Sequence, residues 1–345
     1  MPVYTDPGNF LALSASFPVL DVRSPGEFEQ GHIPGAFNLP LFNNEERAAI
    51  GTLYVQSGKD LAVKQGMELV GRKFGRFIEE VGLLVPGKEM LLHCWRGGMR
   101  SESLAWFFEK LGYKVILLEG GYKSYRRYIR PQFSKPVNIL LVGGMTGSGK
   151  TELLNNLKEL GQQTIDLEAM AHHKGSSFGH LGQEPQPTTE QFENDLFHAW
   201  NSIKVENALW LEHESKQIGK IFLPDPFYTS MLNGILLKIN LPVGIRIQRL
   251  VKEYACFDKS ILEEVLLHLK QNMGTLHCKL AMEALSRDDY EAVAALTLEY
   301  YDKTYENALH NRPVREIHPI YLESTDMNEN AAHVLDFAMN KNFLQ

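Results

Sequence analysis

Cysteine is scarce in this chain. Three occur in 345 residues, Cys94, Cys256 and Cys278. They are too few and too scattered for a disulfide framework, and none has the spacing of a zinc site. Cys256 and Cys278 fall in helical-looking sequence and read as small buried hydrophobes. Long apolar runs are missing too: none approaches the ~18 residues that a membrane span needs. The opening MPVYTDPGNFLALSASFPVLDVR has no basic region ahead of its apolar stretch and no convincing cleavage site. A soluble cytoplasmic protein with no membrane association is expected. Internal repeats and low-complexity tracts are absent, and so is any broad excess of positive charge. The net charge is −7; residues 1–130 carry 16 Lys and Arg against 14 Asp and Glu, which leaves −9 on the remainder. That acidic remainder argues against broad, nonspecific nucleic-acid binding. It leaves room for a local basic strip: YKSYRRYIRPQFSKP (122–136) holds Lys123, Arg126, Arg127, Arg130 and Lys135 with no acid among them.

What is present suits two ordinary domains, each able to bury a core, since 44% of residues are hydrophobic. PVLDVR, EMLLH and KVILLEGG read as strands, and SESLAWFFEKLGY as an amphipathic helix capped by Ser101 and stopped by Gly112. Residues 44–82 look helical, with internal glycines. Strands alternating with helices imply a parallel sheet covered on both faces. PQFSKP (131–136) reads as a linker, dividing a domain of residues 1–130 from one of residues 137–345. The rhythm then restarts: strand NILLVGG, helix TELLNNLKELG, strand QTIDLEA, helix TTEQFENDLFHAWNSIKVENA, and strands ALWLEHES and ILLKINLP. Residues 243–309 look mostly helical. EIHPIYLES and MNENAAHVLDFAMN supply a last strand and helix.

Two glycine-rich loops carry chemistry. In HCWRGGMRS, Cys94 sits at a strand end just before a helix. Loop N–H groups and the helix N-terminus favour an anion there, and the thiolate is cysteine's nucleophilic form. Gly97 and Gly98 let successive N–H groups converge, and Arg96 and Arg100 add positive charge. Trp95 and Met99 complete the cradle. In GGMTGSGKT, Gly144, Met145, Thr146, Gly147, Ser148, Gly149, Lys150 and Thr151 form G-x-x-x-x-G-K-T between a strand and a helix. That context is what the phosphate-binding loop requires. Its backbone would wrap a phosphate chain, Lys150 would add charge, and Thr151 is placed for a Mg²⁺ ion. Asp166 and Glu168 follow the next strand and are further candidates, and Glu212 and Glu214 end another strand, where an acid that orients water or metal is often found. His172, His173, Lys174 and Ser176 mark a polar loop suited to substrate. No tightly bound cofactor is expected, and no cluster has a metal site's spacing.

LDVRSPGEFEQGHIPGAFNLP, HCWRGGMRS and LEGGYKSY resemble a rhodanese domain in order and spacing. Asp21, Arg23, Glu27, Phe28, Gly31, His32, Ile33, Pro34, Gly35, Ala36 and Asn38 match its first signature. Cys94 falls where that family carries sulfur or selenium. The loop is C-x5-R, one residue longer than in many rhodaneses, a length also seen in phosphatases that share the fold. Phosphatase activity therefore stays open on this loop. The second half is similar in layout to P-loop kinases, and that similarity implies that Arg246 and Arg249 lie where such kinases often place phosphate clamps. The resemblance thus implies a rhodanese-like domain followed by a P-loop NTPase-like α/β domain with a helical insertion.

HCWRGGMRS, LEGGYKSYRR, GGMTGSGKT, DLEAMAHHKGSSFG and LEHESKQIG in this order resemble the tRNA 2-selenouridine synthase family over nearly the whole chain. Such a resemblance implies replacement of sulfur by selenium in wobble 2-thiouridine of tRNA, through an S-geranyl intermediate. The implied substrates are selenophosphate and geranyl diphosphate, with selenophosphate synthetase as a candidate donor partner. Cys94, Arg96 and Arg100 would then serve selenium, and the P-loop the diphosphate. Lys123, Tyr125, Arg126, Arg127 and Arg130 are candidates for tRNA contact. The competing readings are an ATP-dependent kinase or sulfurtransferase, a phosphatase using Cys94, and a tRNA-binding module whose loops are idle.

Overall fold

The computed structural model describes residues 3–311 and 314–344. The chain divides into two compact units. One comprises residues up to 132 together with 193–198; the other comprises residues 133–192 and 199 onward.

In the first unit, buried runs become parallel strands. Among the described residues its five-stranded sheet has the order β1-β5-β4-β2-β3. The strands are β1 (Val3–Thr5), β2 (Val19–Asp21), β3 (Phe37–Asn38), β4 (Glu89–His93) and β5 (Lys114–Leu118). Leu20, Leu91, Leu92 and Leu117 are fully buried, as strands covered on both faces require. Strand β1 and helix α1 (Pro7–Leu13) add an edge that the sequence reading did not contain. Helix α2 (Pro25–Gln30) begins with a capping box between Ser24 and Glu27. The helical stretch 44–82 is three helices. α3 (Asn44–Ser57) stops at Gly58 with φ of 89°, and α4 (Lys59–Gly71) and α5 (Phe74–Leu84) follow. Helix α6 (Met99–Lys110) starts two residues before Ser101, so Ser101 is not its cap. Helix α7 (Gly121–Gln132) runs through Pro131, so the expected linker begins inside a helix.

In the second unit the sheet order is β12-β11-β6-β8-β7, with every pairing parallel. Strand β6 (Ile139–Gly144) leads through the glycine-rich loop into helix α8 (Lys150–Glu159). Strand β7 (Gln163–Ile165) is shorter than expected, because Asp166 caps a one-turn helix, α9 (Leu167–Met170). Helix α10 (Thr189–Asn201), whose residues 193–198 belong to the first unit, β8 (Leu209–Glu212), a small β9–β10 hairpin (Gln217–Ile218, Ile221–Phe222) and α11 (Asp225–Leu232) precede β11 (Ile235–Asn240). The hairpin and α11 are short and were not anticipated. The helical stretch resolves into α12 (Val243–Tyr254), α13 (Lys259–Met273), α14 (Thr275–Ser286) and α15 (Tyr290–Asn311). It has an apolar cluster of its own around Leu266, Leu269, Ala281 and Leu285. β12 (Glu316–Tyr321) and α16 (Met327–Asn340) close the unit. Cys278 is buried as expected, but Cys256 is exposed at the end of α12, so its reading as a core hydrophobe is corrected.

Candidate functional site

The cysteine loop runs from the end of β4 to the first turn of α6. Cys94 is 3% exposed and belongs to the same apolar core as Leu92, Leu104 and Phe108. Ser101 Oγ lies 3.3 Å from Cys94 Sγ and 3.0 Å from the Gly98 carbonyl oxygen. Its single proton can serve only one of them, and a thiolate at Cys94 would be the stronger acceptor. From Trp95 through Ser101, no backbone N–H finds an acceptor among the described residues. These are successive donors on a loop that turns at Gly97, where φ is 64°.

Glycines also lock the loop from outside. A Cβ on Gly121 would meet Cys94 O and Gly97 N at 2.4 Å each, and one on Gly97 would meet Leu118 O at 2.8 Å. This approach lets Tyr122 N donate to Cys94 O at 2.9 Å and Lys123 N to Trp95 O at 3.0 Å. Beneath the loop, Arg23 grips Asp21 with Nη2–Oδ2 at 2.6 Å and lies 3.8 Å from the Tyr122 ring centre. Burial pushes the pKa of Asp21 up, but His93 and the hydrogen bonds and charge of Arg23 outweigh it and hold the carboxyl below its ordinary range. Burial pushes His93 down toward its neutral form, which leaves Arg23 as the partner that keeps Asp21 ionised.

Arg100 donates to Glu27 with Nη1–Oε2 at 2.8 Å, whereas Arg96 is exposed and makes no ion pair among the described residues. Arg100, Met99 and Arg47 also border an apolar groove of about 1390 Å³ on α3, α4 and α6, walled by Val55, Met67 and Trp106.

The basic strip is corrected in part. It forms α7, and its 3.6-residue period buries Tyr122, Tyr125, Arg126 and Ile129 on one face. Arg126 is 8% exposed, pairs with Glu193 and donates to Asn194 Oδ1 at 2.5 Å. Tyr125 is 1% exposed. Neither is available to an RNA phosphate or base. Lys123, Arg127 and Arg130 remain exposed on the other face.

In the second unit, the phosphate-type loop turns at Gly147 and Gly149, with φ of 79° and 74°. It lines a cavity of about 840 Å³ with Glu168, Lys174, Ser176, Glu214, Arg249 and the tyrosines 254, 301 and 305. Lys150 Nζ lies 3.9 Å from Glu214 Oε1. Burial draws the lysine down, but Glu168 and Glu214 outweigh it, and the ammonium is stabilised. Burial lifts Glu214 to about 8 against the pull of Lys150, with Glu168 adding to the rise. Thr151 Oγ1 donates to Glu168 Oε2 at 2.9 Å. Among the described residues no group of three or more His, Cys, Asp or Glu is arranged to hold a metal ion. A Mg²⁺ ion at Thr151 would therefore take most of its ligands from substrate oxygens and water.

Other candidates have structural roles. Asp166 Oδ1 caps α9 through Ala169 N at 2.7 Å. Glu212 accepts from Leu167 N at 3.0 Å and is held well above the carboxylate range by burial and by Asp166 and Glu168. Arg246 is 5% exposed, forks onto Asp302 at 2.8 and 2.7 Å, and reaches the Thr146 carbonyl oxygen at 3.1 Å. It braces the loop at Thr146 and does not line the cavity, which corrects its reading as a clamp. Arg249 stays at the mouth, its Nη2 2.7 Å from where a Gly149 Cβ would stand. His173 accepts from Gly175 N at 3.2 Å and is pushed down mainly by burial. Lys174 pairs with Glu253. Ser101, Gly121 and Tyr305 were missed as site residues. Ser101 was read as a cap, Gly121 entered only within a motif, and Tyr305 lies in a helix with no local signal.

These loops and folds define a fusion of a rhodanese-like domain with a P-loop domain. Two family descriptions match, the rhodanese-like domain over residues 7–128 and the tRNA 2-selenouridine synthase AAA domain over residues 137–285. A Shewanella woodyi tRNA 2-selenouridine synthase is 32% identical over 87% of this chain and 90% of its own length. The Nitrosomonas europaea and Bdellovibrio bacteriovorus proteins of that name are 36% and 39% identical over 70% and 69% of this chain. Those alignments span 64% and 65% of these two relatives. The chain belongs to the tRNA 2-selenouridine synthase family.

Proposed function

We propose that this protein replaces sulfur by selenium in the wobble 2-thiouridine of tRNA, by way of an S-geranyl intermediate. The observation that carries the reading is the pair of anion cradles, one built around a thiol and one around a lysine, in a chain of this family. Geranyl diphosphate would lie with its diphosphate on the P-loop backbone and Lys150. The thiocarbonyl sulfur attacks carbon 1 of the geranyl group, the C–O bond breaks, diphosphate leaves and the base loses its N3 proton. Alkylation turns sulfur into a leaving group. At the cysteine loop the P–Se bond of selenophosphate breaks, its phosphoryl group going finally to water as phosphate, while the selenium attacks carbon 2 and geranylthiol departs. The apolar groove beside Arg100 offers the geranyl chain a dry wall during that step. Exposed Lys123, Arg127 and Arg130 would hold RNA phosphates. The reaction belongs to the cytoplasm, where tRNA is found, and selenophosphate synthetase is the natural source of the donor.

The test is mass spectrometry of wobble-thiolated tRNA incubated with the protein and each donor singly and together. Geranyl diphosphate alone should give S-geranyl tRNA, and both donors should give 2-selenouridine. Selenation that proceeds equally well without geranyl diphosphate on unalkylated tRNA would overturn the order of steps. A second reading, phosphatase, is favoured by the Ser101–Cys94 contact at the base of a C-x5-R loop. Release of phosphate from an aryl phosphate, lost in Cys94→Ala, would support it.

A further inference from the structure

We propose that Cys94 accepts the phosphoryl group of selenophosphate rather than its selenium, and so releases selenide beside the base. The inference rests on the selenium-transfer reading above and gives Cys94 a defined step in it. Three observations carry it. First, seven successive backbone N–H groups, Trp95 to Ser101, have no acceptor among the described residues. A bare sulfur or selenium atom would use one or two of them; a tetrahedral phosphoryl group brings three oxygens. Second, Arg100 closes the loop, and Glu27 fixes it through Nη1 at 2.8 Å, with Nη2 only 3.5 Å from the same carboxylate. Third, Ser101 Oγ is 3.3 Å from Cys94 Sγ. A hydroxyl there stabilises a thiolate both as attacking group and as leaving group.

Electron counting points the same way. Selenium in selenophosphate is already at the selenide level, bound to phosphorus(V). Making a perselenide on Cys94 from it would require the removal of two electrons, and neither substrate is an oxidant. Attack on phosphorus needs none. The S–P bond forms, the P–Se bond breaks, and selenium leaves with the bonding pair as selenide, taking a proton from solvent. Selenide then adds at carbon 2 of the S-geranyl base and displaces geranylthiolate, which leaves as the thiol once protonated. Water cleaves the S–P bond, returning the Cys94 thiolate and releasing inorganic phosphate.

The experiment uses the full chain and selenophosphate without oxygen, with acid quenching, intact mass and mapping of the Cys94 peptide. Wild type and Ser101→Ala are run together. Ser101→Ala should slow cleavage of the S–P bond by about tenfold or more, through loss of the hydrogen bond to the leaving thiolate, and so raise the trapped phosphocysteine. Selenide should appear in a burst stoichiometric with enzyme, ahead of phosphate. Cys94→Ala should show neither adduct nor burst. Selenium on the Cys94 peptide would overturn the proposal. So would simultaneous release of selenide and phosphate in Ser101→Ala with no phosphoryl adduct. The RNA-free format separates the two claims. A phosphocysteine here with no selenated tRNA in the two-donor tRNA incubation would sink the proposed function alone, and selenated tRNA there without a phosphocysteine here would sink this inference alone.

Discussion

Gly121 lies 27 positions along the chain from Cys94, yet its replacement should disable the cysteine loop. Alanine there must adopt φ of 61°, a left-handed conformation that costs an L residue about 1 kcal/mol. Its Cβ would also stand 2.4 Å from Cys94 O and from Gly97 N, about 1 Å inside ordinary contact. Both neighbours are backbone and cannot swing aside as a side chain would. Overpacking of this kind costs ~1–3 kcal/mol. Moving the loop away also strains the bonds from Tyr122 N and Lys123 N to Cys94 O and Trp95 O, worth about 1 kcal/mol each. The expected loss in the first unit is about 3 kcal/mol. The displacement of Cys94 should cost selenation about 100-fold or more, since a shift near 1 Å has that effect on positioned groups. Gly82→Ala is the matched control, because Gly82 lies within α5, outside the loop, and nothing lies within 4 Å of its Cβ. The assay is selenation of S-geranyl tRNA by mass spectrometry, with geranylation of thiolated tRNA and urea unfolding as folding controls. Wild-type selenation in Gly121→Ala, or equal damage in Gly82→Ala, would refute the reasoning.

Cys94→Ala should abolish selenium incorporation and leave S-geranyl tRNA to accumulate, whereas Lys150→Ala should lose geranylation first; nucleoside mass spectrometry reads both. Reversing Lys123, Arg127 and Arg130 to Glu should weaken tRNA binding and flatten its dependence on salt, measured by filter binding across ionic strengths. Arg126→Glu should instead lower the thermal stability of the protein, because it places a buried carboxylate against Glu193. Glu214 predicts a pH effect on the second unit. Its folded value of about 8 exceeds the ordinary 4.5, so the native state holds an extra proton between those limits. Stability should fall as pH rises from about 4.5 to 8, and Glu214→Gln should remove part of that fall. Melting curves of the two proteins that stay parallel across this range would contradict the assignment.

The alternation of strands and helices was legible because parallel strands, buried on both faces, appear as unbroken apolar runs such as EMLLH and ILLVGG. The two glycine loops were legible because each needs special backbone at fixed spacing. Strand β1 was not, since its three residues lie at an exposed edge and carry no period. The burial of Tyr125 and Arg126 was written in the spacing of Tyr122, Tyr125, Arg126 and Ile129, but their charge and aromatic character drew the reading toward RNA. Arg246 gave no such sign. Its partner Asp302 is 56 positions away, on another helix, and only the fold joins them.

Under the proposed function and the phosphoryl step inferred for Cys94, the two cradles differ for a reason of chemistry. Each places backbone N–H groups at the turn from a strand into a helix, where anions are favoured. In the P-loop the diphosphate is a leaving group and the reacting carbon lies beyond it. A fixed cation is enough, and Lys150 supplies it, its charge kept first by Glu168. In the cysteine loop, phosphorus is itself the centre attacked. A nucleophile must sit under the oxygens, and a lysine would serve no purpose there. Cys94 fills that place in a core of leucine and phenylalanine, with one hydroxyl, Ser101, at its sulfur. The extra residue of the C-x5-R loop then gives room for three phosphoryl oxygens, and its length follows from which atom of the donor the cysteine attacks.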